Sequence, residues 1–91
     1  MYYVIRCIDK PGSLHIRQAN RPAHLEYIKS FTAQLFAAGP ILDEDDNMCG
    51  SVLILDLPGK IEAEAFAAGD PYAKAGLFSQ VSIDRWKKLL P

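Results

Sequence analysis

A histidine in Arg21-Pro22-Ala23-His24-Leu25 and an aspartate in Asp70-Pro71-Tyr72 are the residues of this chain best suited to proton transfer. An imidazole changes charge near neutral pH, and a carboxylate beside it fixes the ring tautomer and stabilises the imidazolium. Such a pair is enough for proton abstraction, elimination or hydrolysis without a cofactor. Around it, Ser51 offers a hydroxyl, Tyr72 a phenol, and Arg21 a cation to neutralise a substrate anion. His24 and Asp70 are therefore the candidate catalytic residues, and Ser51, Arg21 and Tyr72 the candidate substrate-binding residues. Each has an ordinary structural role as well. A histidine at the edge of a helix's apolar stripe is often a satisfied core residue, and Asp-Pro after a glycine is common turn initiation.

Other chemistries are poorly served. No Gly-x-Ser-x-Gly surrounds Ser51, which argues against a serine nucleophile. Cys7 and Cys49 form no CxxC and have no histidine at zinc spacing, so neither a disulfide framework nor a metal site is expected. Asp43, Asp45 and Asn47 match the first ligand positions of a calcium loop. Met48, however, stands where that loop needs glycine, and Ile54 where it needs a bidentate glutamate. The acidic run reads as a solvated hairpin tip. His15 has no evident partner, no phosphate-cradling loop is present, and no cofactor is expected.

The chain has 91 residues, 49% of them hydrophobic, and a net charge of -1, as expected of one globular domain over residues 1–91. A fold this short buries only roughly 60–65% of its unfolded surface, so self-association is the expected supplement to a thin core. The charge balance lacks the concentrated basic face that nucleic acid requires, and Arg85, Lys87 and Lys88 read as a solvated strand end. No apolar run approaches the roughly 20 residues that span a bilayer. With no secretory leader evident, a cytoplasmic location with reduced thiols is expected.

The elements that must position the pair follow from pattern. Tyr2 to Ile8 is β-branched and aromatic, predicting a strand stopped by Asp9-Lys10-Pro11-Gly12. A helix is predicted from Pro22, with Arg21 at its N-cap, carrying Leu25, Ile28, Thr32, Leu35 and Phe36 as its apolar stripe and ending at Gly39-Pro40. That places His24 in the first turn, where the helix dipole disfavours imidazolium. A second strand is expected from Ile41, a central one over Gly50 to Leu57, a helix over Glu62 to Ala68, and a last strand over about Phe78 to Lys88. The order is β-α-β-β-α-β, an α+β ferredoxin-like arrangement with two helices on one face of an antiparallel sheet. The other face needs a cover, which predicts a homodimer packed sheet against sheet.

Several segments, in this order, resemble the YCII-related (YciI-like) family. They are Cys7 through Ser13, Arg17 with Arg21-Pro22-Ala23-His24-Leu25, Ala38-Gly39-Pro40, Gly50-Ser51, Asp70-Pro71-Tyr72, Ala75 through Phe78, and Val81 through Trp86. The resemblance spans nearly the whole chain. It implies a ferredoxin-like domain of the dimeric α+β-barrel type, with a histidine–aspartate pair that falls on His24 and Asp70. It also implies a pocket-lining serine at Ser51. A dehydrochlorinase acting on a chlorinated hydroxyquinol belongs among such relatives, so cofactor-free elimination is the implied precedent. The alternative is a non-catalytic, small-molecule-binding dimeric module.

Overall fold

The computed structural model describes all 91 residues. Its elements are β1 (Tyr2–Asp9), α1 (Leu14–Lys29), β2 (Leu35–Leu42), β3 (Met48–Asp56), α2 (Lys60–Gly69), α3 (Pro71–Lys74) and β4 (Phe78–Trp86). The strands form one antiparallel sheet in the order β2-β3-β1-β4, which is the predicted ferredoxin-like α+β arrangement with a one-turn helix added before β4. No helix is long and apolar enough to cross a membrane.

Alternation along the strands sets the two faces. Tyr3, Ile5 and Cys7 of β1 and Leu53 and Leu55 of β3 are buried beneath the helices, where Ile28, Ala63 and Phe66 pack on them. Tyr2, Val4, Val52 and Ile54 point to the opposite face, which nothing in the chain covers. There Tyr2, Phe36 and Trp86 cluster with ring centroids 5.6 to 6.1 Å apart.

The first helix departs from the sequence expectation at both ends. It begins at Leu14 after Ser13, so Arg21 is not its N-cap and Pro22 lies inside it. Proline there removes its own N–H from the helical ladder and crowds the carbonyl one turn earlier, a cost set against the burial of Arg17 in the first turns. His24 is consequently in the third turn, and the dipole argument for its protonation does not apply. The helix ends at Lys29, and Leu35 and Phe36 belong to β2 rather than to a helical stripe. Pairing with β3 overrides the local helical pattern there, and Pro40 is tolerated because β2 is an edge strand. At the hairpin tip, Asp43 accepts the backbone N–H groups of Asp45 and Asn47 at 2.9 and 3.0 Å.

Candidate active site

The start of α1 at Leu14 explains how the site is assembled. Arg17, Arg21, His24 and Ile28 follow one another at spacings of four, three and four, so they lie along one face of α1. That face overlooks a cleft of about 210 Å³. Opposite it, β3 contributes Ser51 and Leu53, the edge strand β2 contributes Pro40, and α3 contributes Tyr72. Gly50 lets β3 lie close to β1 beside Ser51, since a Cβ there would stand 2.5 Å from the Cys7 carbonyl oxygen.

His24 and Asp70, 46 residues apart, meet with Nδ1 and Oδ1 at 2.9 Å. Both are buried, at 8% and 2% exposure, so the contact is shielded from water. Asp70 lies between α2 and α3, and the same Oδ1 accepts the Tyr72 backbone N–H at 2.9 Å. The carboxylate is thus both the turn-forming residue suggested by Asp-Pro and the partner of the imidazole. An oxygen already accepting an amide proton can only accept from Nδ1 too, which leaves Nε2 of the neutral ring with its lone pair free.

Tyr72 makes the second contact to His24. The two rings stack with centroids 3.9 Å apart and planes within 13°. The Arg17 guanidinium carbon lies 4.5 Å from the same tyrosine centroid. At these separations two groups cannot share one face, so Tyr72 is sandwiched between cation and imidazole. Burial, first of all, raises the Tyr72 pKa, and Asp70 adds to this against the lowering effect of Arg17 and Arg21. The phenol therefore stays protonated at neutral pH and is available as a donor. Arg21 is exposed at the mouth of the cleft.

Arg17 and Asp9 were not among the candidate residues. Arg17 is only 2% exposed, and two of its three guanidinium nitrogens are hydrogen-bonded. Its Nε and Nη2 donate to the two oxygens of Asp9 at 2.7 and 2.8 Å, and Nη2 donates to Ser51 Oγ at 3.0 Å. Burial alone lowers its pKa, but the hydrogen bond and charge of Asp9 outweigh that effect and the net direction is upward. The sequence signal was the seven-residue spacing to His24, which becomes visible only when the helix is started before Pro22.

Cys7 lies behind the site. Burial, then the charge of Asp70, pushes its thiol from 9.0 to about 12, although Arg17 opposes the rise. The neutral thiol is inert, so native-state iodoacetamide is expected to label the half-buried Cys49 and spare Cys7. Mass spectrometry of the alkylated protein checks this, and Cys7 labelling at neutral pH contradicts it. The raised value also has a thermodynamic sign. The unfolded chain ionises this thiol first, so its contribution to stability is complete below 9.0 and is lost as pH rises towards about 12.

The strand order and the cleft under one helix define a ferredoxin-like α+β domain. The YCII-related domain model matches residues 1–87, and the chain belongs to that family. Protein YciI of Escherichia coli O6:H1 is 36% identical over 97 residues, covering 98% of this chain and 99% of the relative. Among solved structures, the chain is similar to the 5-chloro-2-hydroxyhydroquinone dehydrochlorinase of Burkholderia phenoliruptrix AC1100, in complex with 2,5-dihydroxybenzoquinone. The two are 38% identical with a TM-score of 0.90, covering 96% of this chain and 94% of that one. An antibiotic biosynthesis monooxygenase shares the fold at 15% identity and a TM-score of 0.59, over 99% of this chain and 100% of its own.

Proposed function

We propose that this protein is a small cofactor-independent enzyme that uses His24 and Asp70 as an acid/base pair on a small hydroxylated ring compound. The leading reaction is elimination of the dehydrochlorinase type. The observation that carries this reading is the buried 2.9 Å contact between His24 and Asp70, with His24 lining the cleft. From the keto tautomer in which the chlorine-bearing ring carbon is saturated, Nε2 takes a proton from a ring hydroxyl, the O–H pair becomes a C=O bond, the ring double bond shifts to the chlorine-bearing carbon, and chloride leaves with its own bonding pair. Asp70 stabilises the imidazolium formed. Negative charge spreading onto a substrate oxygen meets Arg21 and the hydroxyls of Ser51 and Tyr72. The size agrees with a one-ring molecule, since a cavity of about 150 Å³ holds benzene. Similarity to the Burkholderia dehydrochlorinase supports the reaction class.

The test is incubation with 5-chloro-2-hydroxyhydroquinone, and in parallel with metabolite mixtures, following chloride release and mass changes. Conversion by the wild type that is absent in His24→Gln is the expected result. Thermal stabilisation by these compounds with no conversion favours a binding module instead.

The proposal includes a homodimer joined through the uncovered sheet face. Tyr2, Phe36 and Trp86 form an aromatic cluster there beside Val4, Val52 and Ile54, and Phe36 is 45% exposed. Sedimentation equilibrium is expected to give twice the 10.1 kDa chain mass. Phe36→Asp, which places a charge within that cluster, is expected to give the monomer. An unchanged mass in the variant argues against this face.

A further inference from the structure

We infer that Asp9 and Arg17 form a positioning pair that turns Ser51 into a one-way hydrogen-bond donor, so that the cleft selects ligands carrying an acceptor oxygen that is ionised or becomes so during reaction. This deepens the reading above and rests on the cleft being a small-molecule site. Ser51 is 3% exposed and its Oγ receives the Arg17 Nη2 hydrogen at 3.0 Å. A serine hydroxyl can donate one hydrogen and accept at its lone pairs. Here a permanently charged donor occupies the accepting side, and no protein acceptor takes the Ser51 hydrogen. The hydroxyl proton is therefore left for the cleft that Ser51 lines.

Arg17 cannot rotate away from this task. Asp9 holds it with two bonds of 2.7 and 2.8 Å, and the Tyr72 ring covers its planar face at 4.5 Å. The guanidinium also polarises the Ser51 O–H, strengthening it toward an oxygen anion. The site is consequently directional. His24 Nε2 accepts a proton, whereas Ser51 and Tyr72 donate hydrogen bonds. A ligand that fits both ends presents an acidic hydrogen to the imidazole and an enolate-type or phenolate-type oxygen to Ser51. Arg17 acts through Ser51 and is a positioning residue, not a catalytic one.

Two ring compounds of the same skeleton separate the possibilities: 2,5-dihydroxybenzoquinone, whose hydroxyls ionise, and 2,5-dimethoxybenzoquinone, whose oxygens cannot. Titration calorimetry on the full chain at neutral pH is expected to show at least a tenfold preference of the wild type for the first. Ser51→Ala is expected to lose most of that preference by weakening the ionisable ligand alone. Arg17→Lys keeps the charge but loses the fork, and is expected to lose a similar share. The double variant is expected to lose no more than either single one, the coupling that a shared hydrogen bond requires. A preference unchanged in both Ser51→Ala and Arg17→Lys overturns the inference, as does additive loss in the double variant. If chloride release still disappears in His24→Gln in that event, the acid/base reading stands without the donor. If the wild type binds neither ligand, the donor inference fails with the small-molecule site it rests on.

Discussion

Replacing His24 by Gln is expected to lower turnover by about 10²–10⁴-fold while leaving the fold and dimer in place, the range typical of losing a positioned general base. Glutamine retains a side chain able to bond Asp70, so the loss reads the chemistry and not the packing. Asp70→Asn provides the sharper control. With its amide oxygen in the Oδ1 position it can still accept from both the Tyr72 backbone N–H and Nδ1, but it carries no negative charge to stabilise the imidazolium. A fall of about 10²-fold or more in kcat, with the thermal midpoint little changed, is expected from that loss of charge. Initial rates of chloride release under saturating substrate measure both variants. Wild-type kcat in His24→Gln would remove the histidine from the mechanism.

Asp9→Ala is expected to be the most destabilising single change at the site. It leaves the Arg17 guanidinium, 2% exposed, without its bidentate partner. Removing one member of a buried ion pair costs about 3–5 kcal/mol, because the remaining charge keeps its desolvation penalty. In a domain of this size each kcal/mol lowers Tm by roughly 4–8 °C, so a fall of more than about ten degrees is expected. The contrasting case is Asp56, which pairs with the N-terminal ammonium at 2.8 Å on the surface. Asp56→Ala is expected to change stability by less than about 1 kcal/mol, and that small effect should fade in salt. Replacing both members, Asp9→Leu with Arg17→Met, is expected to recover much of the lost stability, since apolar pairs often replace buried ion pairs without net cost. Recovered stability with a lost preference for ionisable ligands would separate the pair's role in the cleft from any role in holding the fold. Thermal melts of the three proteins decide the first point. A melt of Asp9→Ala within about two degrees of the wild type (well under the roughly 4–8 °C expected per kcal/mol) would show that Arg17 finds another acceptor.

Much of the architecture was legible because it depends on short-range patterns. Alternation along the last strand puts Val81 and Ile83 on one face and Asp84 and Trp86 on the other, and the pairing with β1 agrees. Turn chemistry at Asp9-Lys10-Pro11-Gly12 marks the end of the first strand, where β1 stops. The first helix was harder. Pro22 looks like a start signal because proline suits that position, and Leu35 with Phe36 extends the helical spacing. Both signals are local, and both yield to contacts made far away in sequence. The buried pairing of Arg17 with Asp9 draws the helix start back to Leu14, and the hydrogen bonds of β3 draw residues 35–42 into the sheet.

By itself, the amino-acid sequence determined the α+β order and the residue types able to transfer protons, because periodicity and side-chain chemistry are properties of short segments. Only the tertiary structure decided that His24 Nδ1 meets Asp70 Oδ1, and that Tyr72 is clasped between His24 and Arg17. Only it revealed that Ser51 is held by a cation that no local motif marked. These contacts join β1, α1, β3 and the α2–α3 corner. Their geometry depends on how the helices settle on the sheet, a quantity that no segment carries alone.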